Sequence, residues 1–153
     1  MEEDRIRKVE YVWHVPYRVV LGDVYAKFLN GLKQKRILGN ICPKCKGLHV
    51  PAKPYCELCF VAPTEWVETD GNATLISYAV TYVKFLGLPD PPHITGIVKV
   101  GDSITNFLHF VAGVPFEEPS DLEKKLKIGM KLRPVWKEER VGDMFDIAYF
   151  EPA

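Results

Sequence analysis

The apolar spacing changes character three times along the chain. Between Val20 and about Arg36, the residues Leu21, Val24, Tyr25, Phe28, Leu29 and Leu32 recur at i, i+3, i+4, i+7, i+8 and i+11. That spacing lays one face of a helix, with Lys27, Lys33, Lys35 and Arg36 at polar positions. Gly39-Asn40 then reads as the C-terminal breaker. The segment from Ile41 to Ala62 is rich in Pro and Cys and holds no period long enough for a helix. After Pro63 the pattern becomes extended: Glu65–Thr69 is a short piece, and Ala73–Lys84 is dense in β-branched and aromatic residues. Phe85–Pro92 is a Gly- and Pro-laden loop. His93–Val100 and Ile104–Val111 are strands joined by a tight turn at Gly101-Asp102. Ser120 caps a short helix through Leu126, with Glu123 completing a capping box, and Ile128-Gly129 closes it. Met130–Lys137 and Asp143–Phe150 are the last two strands.

Three strands, a short helix and two more strands form the element order of a five-stranded Greek-key barrel of the OB type, in which a helix plugs one end between the third and fourth strands. A small sandwich is the competing fold. The expected organisation is therefore mainly β: an N-terminal arm and amphipathic helix over 1–40, a Cys-rich ribbon over 41–62 and a barrel over 63–153. Within the arm, residues 1–17 end in Trp13, His14, Val15, Pro16 and Tyr17, a segment that packs through its aromatics.

Composition narrows the class. With 153 residues, 47 % of them hydrophobic and 26 % charged, the chain can bury about 70 % of its unfolded surface, enough for a core without staples. Its first residues are charged rather than apolar, unlike a signal peptide. The longest stretches lacking Asp, Glu, Lys and Arg are Gly71–Val83 and Ser103–Phe116, short of the ~20 residues of a membrane span. The expectation is a soluble cytoplasmic protein with no membrane contact. Inside the cell, four cysteines point to metal or redox use before disulfides. Residues 1–62 carry 11 Lys and Arg against 6 Asp and Glu, and residues 63–153 carry 9 against 14. A front half of +5 is joined to a back half of −5.

The cysteines stand as Cys42-Pro-Lys-Cys45 and Cys56-Glu-Leu-Cys59, ten residues apart. Two C-x2-C turns can converge on one ion, and four thiolates at about 2.3 Å suit a structural Zn2+ in a closed tetrahedron. Gly47 is positioned to supply the left-handed backbone of the first turn. Iron in a rubredoxin-like site uses the same geometry, so the spacing fits either metal. A redox C-x-x-C would want a βαβ context, absent here. Four thiolates fill the coordination shell and leave no place for a reacting water, so the metal is a staple on which the ribbon's folding depends.

Together these features resemble one family. The Trp13-x-x-Pro16-Tyr17 arm, the amphipathic helix, Ile37-Leu38-Gly39-x-x-Cys42, the two cysteine turns and the closing Tyr149-Phe150-Glu151-Pro152 are similar to the zinc-ribbon OB-fold family known as domain of unknown function thirty-five. The resemblance runs from about Tyr11 to Pro152. It implies a rubredoxin-like ribbon at Cys42, Cys45, Cys56 and Cys59. It also implies a non-catalytic role beside thiolases or thiolase-like enzymes of acyl-CoA metabolism, including bridging of an acetoacetyl-CoA thiolase to hydroxymethylglutaryl-CoA synthase, with contact to coenzyme A. Where family members often carry Pro-Pro-Arg before the second turn, this chain has Pro51-Ala52-Lys53, which keeps the charge without the bidentate fork.

The residues themselves bear on function. No phosphate-binding G-x-x-x-x-G-K-[ST] and no H-E-x-x-H occurs. His14, His49, His93 and His109 are scattered, and only His49 lies near the cysteines, as an outer neighbour of the metal or a solvent-facing ring. Glu138 and Glu139 fall in a predicted strand and point to opposite faces, which argues against a catalytic dyad. The expectation is no enzyme activity of its own. A nucleic-acid-binding ribbon and barrel is the alternative, but Tyr78, Tyr82, Phe85, Phe107 and Phe110 sit in the acidic half, where phosphates are repelled, and the rings are expected to fill the barrel. From Arg18 to Lys53 there are eight Lys and Arg and one acid, Asp23. Lys44, Lys46 and Lys53 are the expected contacts to coenzyme A phosphates or an acidic partner. Tyr11, Trp13, Tyr17, Val20 and Phe28 lie outside the barrel, and Trp13, Tyr17 and Phe28 are expected to face a partner enzyme. The function read from the chain is that of a scaffold or accessory subunit of an acyl-CoA condensing complex.

Overall fold

The computed structural model describes residues 17–153. Helix α1 (Asp23–Lys33) follows Gly22 in extended conformation, with Asp23 in its first turn and Lys33 in its last, each matched to the helix dipole. It is shorter than the apolar spacing predicts. Lys35 turns left-handed at φ 60°, and the chain then enters strand β1 (Ile37–Ile41). Gly39-Asn40, expected to break the helix, instead lies in the middle of this strand. Strand β2 is Leu48–His49 and β3 is Glu65–Thr69. The three form an antiparallel sheet in the order β2-β1-β3, with Ile37 opposite Thr69 and Asn40 opposite both Trp66 and His49. Glu65–Thr69 therefore pairs with the strand ahead of the cysteines and with no barrel strand.

The barrel is built from β4 (Ala73–Thr81), β5 (His93–Val100), β6 (Phe107–Val111), β7 (Lys131–Trp136) and β8 (Ile147–Pro152). It closes in the order β4-β5-β6-β8-β7, with β7 returning to β4 through Ala73 opposite Leu132. All neighbours are antiparallel except β6 and β8, which run parallel and meet at Val111 and Phe150. This is the five-stranded OB arrangement expected from the element order. A bulge between Leu75 and Ser77 bends β4, a common device for curving a barrel strand. Helix α2 (Pro119–Lys125) stands between β6 and β7 and is entered from Glu118 rather than Ser120; the Glu118 amide lies 3.4 Å from the Asp121 carboxylate. Ahead of β8, Met144–Asp146 forms a 3-10 turn in place of the strand expected from Asp143.

Alternation places Phe107, His109 and Val111 of β6 inward while Leu108 faces out, as a half-buried strand requires. Core residues of the barrel (Leu75, Val98, Leu132, Phe150) pack in one continuous cluster with Phe28 and Leu32 of α1, Ile37 of β1, and Val50 and Ala52 of the Cys-rich segment; Leu122 and Leu126 belong to it too. No helix among the described residues is long and apolar enough to cross a membrane.

Candidate metal centre and its surroundings

The two C-x2-C turns have the same backbone. The Cys42 amide donates to the Gly47 carbonyl at 3.0 Å and the Lys46 amide to the Cys42 carbonyl at 2.9 Å; fourteen residues on, Cys56 donates to Val61 and Phe60 to Cys56, both at 2.8 Å. In each turn the residue after the second cysteine is left-handed, Lys46 at φ 61° and Phe60 at φ 55°. Gly47, expected to supply that conformation, does not. Its lack of a side chain serves a close approach: a Cβ there would lie 2.4 Å from Ile104 Cδ1 on the β5–β6 loop.

This backbone gathers Cys42, Cys45, Cys56 and Cys59, whose sulfurs all lie within 4.8 Å of one another. Cys45 Sγ and Cys56 Sγ are 3.7 Å apart, close to the ~3.8 Å edge of a tetrahedron with 2.3 Å metal–sulfur bonds. Cys42 and Cys56 are buried, Cys59 half-buried and Cys45 exposed. Burial opposes ionisation of Cys42, but the Cys45 and Lys44 amides, with the Cys45 and Cys56 side chains, more than offset it and hold this thiol at about 7. Burial, followed by the three neighbouring sulfurs, pushes Cys59 up to about 12. Several thiolates in this space repel one another unless a cation sits among them. The donor set, the spacing and the electrostatics fit one tetrahedral metal ion.

The surroundings are fixed by polar residues that carried no signal in the sequence. Asn40 is buried in β1; its Nδ2 donates to the Lys53 carbonyl at 2.8 Å and its Oδ1 accepts from the Lys53 amide at 3.1 Å. One side-chain amide thus imitates a strand neighbour and clamps the loop that leads into Cys56. The ribbon is tied to the barrel through the β5–β6 loop. The Val50 amide donates to Thr105 Oγ1 at 2.8 Å, that hydroxyl donates back to the Val50 carbonyl at 3.0 Å, and the Ile104 amide donates to the Leu48 carbonyl at 2.7 Å. On the β7–β8 loop, buried Asp146 accepts from the amides of Val141, Gly142 and Asp143 at 2.9, 2.8 and 3.3 Å. Arg140 then reaches the carbonyl of Lys33 at the end of α1 at 2.9 Å. Threonine and asparagine carry little in a one-dimensional reading, because partners 13 to 55 residues away supply their meaning.

Among the lysines expected to meet an anion, Lys44 and Lys46 are exposed on the first cysteine turn. Lys53 is half-buried and pairs with Glu57 at 3.0 Å, a contact that holds its ammonium above the ordinary lysine range. Tyr17 is 82 % exposed, and Tyr11 and Trp13 lie outside the described residues. Phe28 corrects the expectation that it faces a partner: it is fully buried, with its ring 6.4 Å from that of Phe107. An aromatic on the inward face of α1 satisfies the chain's own core first. Exposed apolar residues include Val19, Val20 and Leu21 ahead of α1 and Leu58 and Phe60 on the second cysteine turn, with others such as Leu86, Leu108, Ile128 and Val141 spread over the barrel half.

His49 is buried, and neither ring nitrogen has a hydrogen-bond partner; it does not face solvent, and no hydrogen bond joins it to a cysteine. Burial pushes its pKa down. His109 is also buried but satisfied: Nε2 donates to the Met144 carbonyl at 3.0 Å and Nδ1 accepts from the Phe110 amide at 2.9 Å. Its ring stacks on Phe107 at 5.5 Å between centroids. Burial outweighs these backbone contacts and lowers its pKa. Of the five rings expected to fill the barrel, Phe107 is buried, Tyr78 and Phe110 are half-buried, and Tyr82 and Phe85 are exposed.

A four-thiol ribbon locked onto a closed five-stranded OB barrel defines the class of protein. Residues 66–137 match the family model described as ChsH2, C-terminal OB-fold domain. A solved structure of a protein of unknown function from the DUF35 family of Sulfolobus solfataricus is 29 % identical, with a TM-score of 0.60 over 74 % of this chain and 78 % of that one. A second, named Ltp2-ChsH2(DUF35) aldolase, is 24 % identical and shares the fold at a TM-score of 0.64 over 88 % of this chain and 98 % of that one. No curated protein matches the chain significantly. The barrel is therefore similar to the OB-fold domain of the DUF35 family, the one that the sequence motifs resemble.

Proposed function

We propose that this protein is a non-catalytic accessory subunit of an acyl-CoA condensing complex, docking a thiolase-like enzyme or hydroxymethylglutaryl-CoA synthase. The observation that carries this reading is the exposed apolar surface of a rigidly held ribbon. Leu58 and Phe60 are 72 % and 81 % exposed on a turn whose backbone is pinned by hydrogen bonds and clustered thiols. Rigid apolar side chains dock with little loss of conformational freedom. The fold neighbour whose name joins Ltp2 to ChsH2(DUF35) supports the docking part of the reading alone, since that name is of an aldolase. The ion held by Cys42, Cys45, Cys56 and Cys59 is zinc in this reading and serves as a crosslink. Lys44 and Lys46, with Lys53 behind them, meet the phosphates of coenzyme A or carboxylates of the partner. The subunit works in the cytoplasm.

Native mass spectrometry of the protein purified from its source cell tests the reading: the expected assembly contains one such enzyme and zinc. Purification as a lone chain under mild conditions overturns it. Lys44→Gln, Lys46→Gln and Lys53→Gln together are expected to weaken coenzyme A affinity; an unchanged value removes the acyl-CoA part of the proposal and leaves the docking part to the first experiment.

A further inference from the structure

The loop between β4 and β5 carries apolar side chains outward. Phe85, Leu86, Gly87 and Leu88 make a tight turn. The Leu88 amide donates to the Phe85 carbonyl at 3.3 Å, and Gly87 stands at φ 80°, the left-handed third position of a type II turn. Leu86 at the tip is 97 % exposed, and Val83, Phe85 and Leu88 around it are exposed as well. Lys84 and Asp90 pair at 2.7 Å across the legs of the turn, so the two charges of this segment match each other. The chain thus presents an apolar knob, of the kind that marks a contact with another molecule.

The knob leads directly into an apolar recess. Pro89, next after the turn, begins the wall of a pocket of about 290 Å3 that continues through Ile94, the end of β6, the loop to Phe116 and Ala148 of β8. Leu86 is not part of that wall, so the knob does not fill its own recess. No Lys or Arg lines the pocket and its Asp90 is already paired, so a charged group entering it would lose water without gaining a counter-charge. An apolar cavity of roughly 150 Å3 holds a benzene ring, so a recess about twice that size has room for the side chain of a leucine and part of a neighbour. Knob and recess adjoin on one surface. A two-fold rotation about an axis between them sets each knob over the other copy's recess, which is the self-complementarity an isologous contact needs. Residues near such an axis face their own copies, so unmatched charges there would repel; here the surface is apolar and its one acid has its lysine. A foreign partner would have to supply a matching knob and a matching recess, whereas a second copy has both. We infer that this face joins two copies of the chain in a two-fold dimer, with Leu86 of each seated in the pocket of the other. The contact uses neither Leu58 nor Phe60, so it stands or falls apart from the docking of an enzyme.

Sedimentation velocity of the metal-loaded full chain over the micromolar range tests it, with the fold and metal content of each variant checked. The expected result is a concentration-dependent equilibrium between monomer and dimer. Leu86→Asn, at a position almost wholly in solvent, should weaken the dimer at least tenfold without disturbing the fold, and Phe116→Asn in the recess wall should do the same. Mixed in equal amounts, the two variants should pair with each other at least threefold more tightly than either pairs with itself. The mixed pair keeps one intact contact, formed by Leu86 of the Phe116→Asn chain and the recess of the Leu86→Asn chain. Leu58→Asp combined with Phe60→Asp should leave the dimer unchanged. A chain that stays monomeric over this range, a dimer that survives Leu86→Asn, a mixture no tighter than its components, or a dimer lost in the Leu58→Asp, Phe60→Asp variant each overturns the proposal. So does a monomer that captures a thiolase-like enzyme through Leu86, which would make the enzyme the occupant of this face.

Discussion

Gly39 stands where β1 is crossed closely by β2. A Cβ at this position would lie 2.8 Å from the His49 carbonyl oxygen and 2.7 Å from Leu48 Cδ1. A backbone oxygen cannot swing aside as a side-chain tip can, so Gly39→Ala is expected to cost about 1–3 kcal/mol, the usual range for an overpacked interior, as read from denaturant midpoints. At Gly47 the obstruction is the flexible end of Ile104, and the same substitution should cost less. His109 sets a pH dependence. Its folded pKa lies below the ordinary 6.5, so beneath about pH 6.5 the unfolded chain takes up a proton that the folded protein refuses. The stability given by the neutral ring is complete above that pH and declines as the pH falls. Unfolding midpoints measured from pH 7 to pH 5 at constant metal content should therefore drop, and His109→Gln should flatten the slope; an identical slope in the variant would refute this assignment. The residues with the plainest meaning in the sequence were the cysteines, because C-x2-C spacing states a local geometry. Gly39, Asn40 and Thr105 were opaque, since each acts on a backbone that only the folded chain brings near.

At the scale of elements, the difference between expectation and structure follows the range of the interactions. The barrel strands were legible because alternation is local, and their order could be inferred because few folds place a helix between the third and fourth strands. Strand β1 was hidden by Gly-Asn, a pair that reads as a stop signal. The partner of β3 was hidden because register is written across some thirty residues. The ribbon sheet depends on short strands, one of two residues, so it lacks enough hydrogen bonding to stand alone. Stripping the metal with a strong chelator, or replacing Cys42 by Ser, should therefore take bound metal from about one ion per chain to near zero and lower the thermal midpoint. With one shared core, each kcal/mol lost shifts that midpoint by roughly 2–4 °C in a chain of this length. A chelated protein with an unchanged midpoint would show that the barrel holds the ribbon in place without help.

For the whole molecule, the core is continuous from α1 through the ribbon to the barrel, so the apolar side chains left outside are the ones free to meet another protein. Leu58→Asp combined with Phe60→Asp should weaken binding of the partner enzyme at least tenfold, a loss of about 1.4 kcal/mol or more, as measured by titration calorimetry, while leaving metal content and thermal midpoint unchanged. Equal affinity in this variant would move the docking surface elsewhere. The charge division, +5 in the first 62 residues and −5 in the rest, gives the molecule a dipolar character that can orient an approaching partner at low ionic strength.

The Asn40 clamp, the paired hydrogen bonds of Thr105 and the reach of Arg140 to the end of α1 all join elements that are distant in sequence. A push on the outer tip of the ribbon therefore has few soft joints in which to dissipate. It would arrive at the β5–β6 loop much as a load on a lever arrives at its fulcrum, so whatever seizes the tip also has mechanical purchase on the cylinder behind it.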